Sequence, residues 1–476
     1  MIRRRRTFTA ALAAGALLIA ACGGDDEETT TTEGATETTE ASTDTTAAAT
    51  DTTEASTDTT EAAAETTAPE TTEPADEAWA VNTDDCIDPD AANAPIEGTV
   101  KIGSAMPLTG GVAAAAWAPI EKGLGAYINY ANEMGLLPGY TIELQVEDDQ
   151  YNPELTPGAV NTLLDSDVDL ITGIIGSPNN AAVRDLLNDE CIPQLNALTG
   201  SPRWGEVNEY PWTTGLLVPY TVESKVYAAH IAEQFPDGAT VGLFFTNNEF
   251  GQIYADAFKE MASEYGLEIV EEQTIEATDA NPPTSQVTTL AAATPDVVMA
   301  VPLGAGCISF LSELANAKAQ SDGWEPLTYI TNTCAGSLIL GAAGAAADGL
   351  FTSGSLVDLG DPANDEIPEV AEYKAFLESE GLSDIVTTAA TGWTAGEVTV
   401  AILKQAAESP EGLTRASIIN AARNFTITPS LARPGVVDKM SGEEDPYIAE
   451  SLIVIQYDAD TATFSDIGEL ITEFES

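Results

Sequence analysis

This chain of 476 residues has one histidine, His230, and 17 basic residues against 77 acids. One histidine and no CxxC pair leave a zinc site without a plausible ligand set. The net charge of −60 excludes a phosphate-tracking face, so nucleic acid and anionic lipid surfaces are poor partners. There is no GxGxxG turn and no Walker lysine, so no nucleotide cofactor is expected, nor any other. Large apolar residues are missing from 25–78, a run of Thr, Ala, Glu, Asp and Ser with loose repeats such as Glu40-Ala41-Ser42-Thr43-Asp44 and Glu54-Ala55-Ser56-Thr57-Asp58. Such a run has nothing to bury and should stay disordered, its ends roughly 40 Å apart as a flexible coil. The apolar stretch from about Phe8 to Ala21 is too short to span a bilayer comfortably.

That stretch follows Arg3 to Arg6 and ends at Cys22-Gly23-Gly24, the arrangement of an export signal. Leu18-Ile19-Ala20-Ala21-Cys22 resembles the lipobox of bacterial lipoproteins. The resemblance implies that 1–21 is a signal peptide, that Cys22 is lipidated, and that 22–78 tethers a folded body to the membrane. Residues 79–97 then form an N-terminal extension. About 400 residues follow Trp79, more than one compact core holds, so two lobes are expected. Cys86, Cys191, Cys307 and Cys334 remain, an even number that suggests disulfides outside the cell. Spacing does not choose among the three connectivities.

From Thr99 onward strand, turn and helix alternate, as in Val100–Gly103 then Ile120–Met134, or Ala239–Phe245 then Tyr254–Tyr265. That alternation predicts an α/β fold of mostly parallel sheets flanked by helices. Ligands of such sheets collect where strands lead into helix N-termini. The loops there are small and polar: Met106-Pro107-Leu108-Thr109-Gly110-Gly111, Gly176-Ser177-Pro178-Asn179-Asn180 and Ala197-Leu198-Thr199-Gly200. Their exposed N–H groups suit a carboxylate or another small polar acceptor.

Lys101-Ile102-Gly103, Pro107-Leu108-Thr109-Gly110, Val146-Glu147-Asp148-Asp149, Gly176-Ser177, Ile192-Pro193 and Asn247-Asn248-Glu249-Phe250-Gly251 occur in that order. Together they resemble branched-chain amino acid-type periplasmic binding proteins. The resemblance implies a two-lobe Venus flytrap serving an ABC importer, with lobe one at 98–215 and 355–433 and lobe two at 216–354 and 434–476. Crossovers fall near Leu216–Thr221, Phe351–Ser355 and Pro434–Asp445. It further implies a monomer whose partners are a small polar solute and a membrane permease. Ser177 and Asn180 would hold a ligand carboxylate, Thr199 and Gly200 its head group, and Trp117 and Phe250 would wall the site. Leu303, Gly304, Asn332 and Thr333 end successive strands of the second lobe. Asn332 stands where amino acid binders often carry an acid, which disfavours an α-amino acid unless Glu249 substitutes. Cys307 and Cys334 follow neighbouring strands, favouring Cys307–Cys334 and, with it, Cys86–Cys191.

A sensory module of the same shape without transport is the alternative. An enzyme is not expected: His230 lies inside a helical stretch, Val222–Phe235, far from the strand ends. Asp148 and Asp149 are adjacent on a strand exit, where they serve a turn better than a paired acid and base.

Overall fold

The computed structural model describes residues 78–472. Cys22, the signal segment and the acidic tether lie outside the described residues. The extension opens with a short helix, α1 (Pro89–Ala92), capped by Asp88. Two disulfides are present, Cys86–Cys191 and Cys307–Cys334, with Cα atoms 5.5 and 5.9 Å apart. Upstream of the first, Asn424 brackets the backbone of Trp79, and Asn420 accepts the N–H of Val81. The extension is thereby pinned at both ends.

The first sheet holds β1 (Thr99–Met106), β2 (Thr141–Asp148), β3 (Leu170–Thr172), β4 (Gln194–Ala197) and β5 (Thr213–Gly215), all parallel, in the order β2-β1-β3-β4-β5. Its connections carry α2 (Gly111–Met134), α3 (Thr156–Leu164) and α4 (Ser177–Asp189). The helix α2 begins nine residues before the sequence reading puts it, straight after the loop at Gly110.

The second sheet is built from α5 (Tyr220–Gln234), β6 (Ala239–Thr246), α6 (Glu249–Glu264), β7 (Leu267–Ile275), α7 (Thr284–Ala293), β8 (Val297–Val301), α8 (Gly306–Gln320), β9 (Leu327–Ile330), α9 (Ser337–Ala343) and β10 (Phe351–Gly354). The central strand β8, Val-Val-Met-Ala-Val, is buried throughout, whereas the edge strand β7 alternates with solvent. A continuous apolar run suits a strand covered on both faces, and alternation suits an edge.

After β10 the chain forms α10 (Pro368–Ser379), α11 (Val386–Ala407) and α12 (Arg415–Arg423), then a separate hairpin of β11 (Asn424–Ile427) and β12 (Asp438–Ser441). It ends with β13 (Leu452–Asp458) and β14 (Thr463–Ile471), antiparallel to each other, β13 also lying antiparallel to β10. The second sheet therefore runs β14-β13-β10-β9-β8-β6-β7. This is a two-lobe α/β fold. Strand order reverses at β1/β3 in one sheet and at β6/β8 in the other, the places where crevices open.

Candidate functional site

A cavity of about 290 Å³ lies where the two sheets' loops meet. From the first sheet come Ala116, Trp117 and Ile120 of α2, Tyr151, and Ile175, Gly176 and Leu198 from strand exits. From the second come Phe250 of α6, Asn332 and Thr333 after β9, and Ser353 and Gly354 of β10. The segments joining the sheets supply Leu217, Val218, Tyr220 and Leu356, and α11 supplies Thr387, Thr388, Thr391 and Thr394. Arg433 and Asp438 complete the wall.

The structure thus brings Trp117, Phe250, Asn332 and Thr333 together. It does not bring Ser177, Asn180, Thr199, Gly200, Leu303 or Gly304 onto the wall. The amide of Asn180 donates to the carbonyls of Ile174 and Gly176, so it fastens the turn that starts α4. The hydroxyls of Ser177 and Thr199 lie 2.6 Å apart. Tyr220 lies over this turn: its backbone N–H donates to the carbonyl of Gly200 at 2.7 Å, its ring packs against Gly200, and burial pushes its phenol up to about 12. Gly304, at φ +52°, forms the turn into α8, its carbonyl accepting from the N–H of Cys307.

Aromatic packing sets the shape. Tyr220 stacks on Tyr254 at 4.5 Å and meets Phe250 edge-on at 5.3 Å. Trp117 lies 5.4 Å from Tyr151, whose ring fills the space a side chain at Gly176 would need. Gly176 also has φ +99°, so the residue is required twice over. Beneath the second-sheet wall Glu223 is fully buried. It accepts from Tyr227 at 2.5 Å, from Tyr254, and from the N–H of Asn332 at 2.9 Å. Burial raises its pKa against those bonds.

Glu249, the expected substitute acid, is instead paired with Arg203 at 2.8 Å, a link between the loop after β4 and the start of α6. Asp148 accepts from the N–H groups of Leu108, Thr109 and Gln150, and Asp149 from Tyr151, Thr156 and Asn179. Both stabilise turns. His230 bonds Tyr329 through its ring, packs on Phe351, and is not on the cavity wall. No cluster of three or more metal-ligating side chains occurs among the described residues.

Sequence reading missed Tyr151, Tyr220, the α11 threonines and Asp438. The one available signal was the hydroxyl spacing of α11, with Thr387, Thr391 and Thr394 on one helical face. Asp438 is 6% exposed, and burial, then repulsion from Glu397, push its carboxyl up to about 7. It holds its proton more tightly folded than unfolded, so stability falls as pH rises from about 4 to about 7 and stays reduced above. Asp438→Asn should therefore raise Tm by a few degrees at about pH 8 and leave it unchanged near pH 4. Differential scanning fluorimetry across that range checks this.

A family model described as periplasmic binding protein matches residues 99–457. A branched-chain amino acid ABC transporter protein of Thermus thermophilus with bound valine superposes with a TM-score of 0.70 at 20% identity, covering 79% of this chain and 97% of that one. A fatty acid ABC transporter substrate-binding protein of Thermomonospora curvata gives 0.66 at 19%, covering 80% and 95%. A Rhodopseudomonas palustris solute binding protein in complex with 4-hydroxybenzoate gives 0.65 at 17%, covering 79% and 97%. At these identities the likeness is one of fold. No curated protein matches the chain.

Proposed function

We propose that this chain, which belongs to the periplasmic binding protein family, is a lipid-anchored receptor that closes on one small amphipathic solute and hands it to an ABC permease. It is a solute-binding protein of the ABC transporter type. Lobe one takes 98–215 with 355–433, and lobe two takes 216–354 with 434–476. In support, α11 packs along α2, and β13–β14 completes the second sheet.

The observation that carries the reading is a cavity walled by both sheets. A guest that touches both lobes only when they are shut shifts the balance toward closure, which is how capture works without chemistry. The polar loop tips suggested a polar guest. The wall that forms is instead mostly carbon: Trp117, Ile120, Leu198, Val218, Phe250 and Leu356. A cavity of about 290 Å³ has room for a small organic solute. The relatives' ligands run from valine to a benzoate and a fatty acid, and this wall suits the less polar of them.

Thermal shift against amino acids, amides, aromatic acids and medium-chain lipids tests the reading. A ligand at a hundred times its Kd should add about 2.7 kcal/mol of stability. Trp117→Ala should weaken whichever solute is found by tenfold or more, since a buried aromatic at the centre of a site carries much of the binding energy. A Tm unmoved by every member of the panel would remove the receptor reading.

A further inference from the structure

The cavity has one polar end, and its chemistry is lopsided. Three charged residues stand on the wall: Asp358, Arg433 and Asp438. Asp358 accepts the N–H groups of Gly360 and Phe464, which occupies both its oxygens. Arg433 pairs with Asp466 at 2.5 Å through one terminal nitrogen, while its buried Nε–H has no partner among the described residues. Among the described residues Asp438 has neither a backbone donor nor a cation to answer it; its charged neighbour is another acid, Glu397 of α11. Glu397 in turn spends its oxygens on the N–H and hydroxyl of Ser430. One turn before it on α11, Thr394 lines the wall with a hydroxyl that has no partner.

At the first-sheet end the groups that would grip a carboxylate are taken. The hydroxyls of Ser177 and Thr199 bond each other at 2.6 Å, Thr199 also accepts the N–H of Ser201, and the ring of Tyr220, 2% exposed, packs against Gly200. An anion entering there would have to evict a buried, stacked tyrosine. An anion at the other end would face Asp438 and Glu397. Asp438 is left as a buried acid on the wall that nothing among the described residues answers.

We propose that the solute is a hydrophobic amine or primary amide whose N–H donors bind Asp438, with its carbon body against Trp117, Ile120, Val218 and Phe250. This rests on the solute-receptor reading above. A buried carboxyl without a counter-group is costly, and a ligand donor or cation removes that cost on binding. Burial and Glu397 hold the free Asp438 near neutrality, and an arriving ammonium restores its charge. The acidic surface draws cations inward and repels anions, which favours the same class.

The test is calorimetric titration of the purified protein with octylamine, octanamide and octanoate, in salt that screens the surface. Octylamine should bind roughly tenfold or more tighter than octanoate, with octanamide between them. Asp438→Asn should cost octylamine roughly tenfold and leave octanoate unchanged or tighter. Octanoate binding as well as octylamine would overturn the assignment. So would an amine affinity that Asp438→Asn leaves intact, since that is attraction to the general acidic surface. If none of the three binds while another solute shifts Tm, the head-group assignment falls and the receptor reading stands. If nothing binds, both fall.

Discussion

Glu223→Ala is expected to destabilise the protein by about 3–5 kcal/mol and to abolish solute binding at temperatures where the wild type still binds. Three donors converge on that carboxyl: the hydroxyls of Tyr227 and Tyr254 and the N–H of Asn332. The two tyrosine hydroxyls lie where water does not reach, and each buried donor left without an acceptor costs about 1–3 kcal/mol. Some relief is available, because Tyr227 can turn to Ser353 at 3.1 Å, and Tyr254 can turn its O–H to the Thr331 hydroxyl 3.0 Å away. The binding loss follows from position. Asn332 is on the wall, and Tyr254 carries the stacked ring of Tyr220. Glu223→Gln keeps an acceptor for two of the three donors and should lose only about 1 kcal/mol. Denaturant melts of both variants beside the wild type check the ranking. Equal losses would mean that volume, not hydrogen bonding, is what Glu223 provides.

Gly392→Ala should cost about 3 kcal/mol or more, although the same change in an open helix normally gains up to about 1 kcal/mol. The helices α2 and α11 touch backbone to backbone. A methyl at 392 would sit 1.9 Å from the carbonyl oxygen of Ile120, and one at Gly123 would sit 1.8 Å from that of Ala389. Neither contact can be relieved by rotating a side chain. The helices must separate, and with them Trp117 and Ile120 on one wall from Thr391 and Thr394 on the other. Gly125→Ala is the internal control: it lies on the same α2 with open space around it and should be neutral or mildly stabilising. If both variants behave alike, the close approach is not what holds these helices together.

The first half of the fold was readable because its strands are apolar runs closed by polar turns, a pattern local to the chain. The helix α11 was not. It carries two glycines and five threonines in its 22 residues, choices that oppose a helix in isolation. It exists because it packs against α2, a partner more than 250 residues earlier. The site divides along the same line. Trp117, Phe250 and Asn332 follow strand ends or begin helices, where sequence order points to the crevice. Ser177, Thr199 and Asn180 occupy equally suggestive positions, yet the two hydroxyls bond each other beneath Tyr220 and Asn180 is taken by backbone carbonyls. A sequence shows which groups can bind something. Whether another group has bound them first is decided by folding, as it is for Ser177 and Thr199.

The bracketed Trp79 has a mechanical corollary. Asn424 and Asn420, at the end of α12 and within it, fix the backbone of residues 79 and 81, and Cys86–Cys191 fixes it again a few residues on. Any leash attached upstream consequently pulls on the first-sheet half alone. If the lobes close on a solute as proposed, the half bearing Phe250 and Asn332 is then the one free of any such leash.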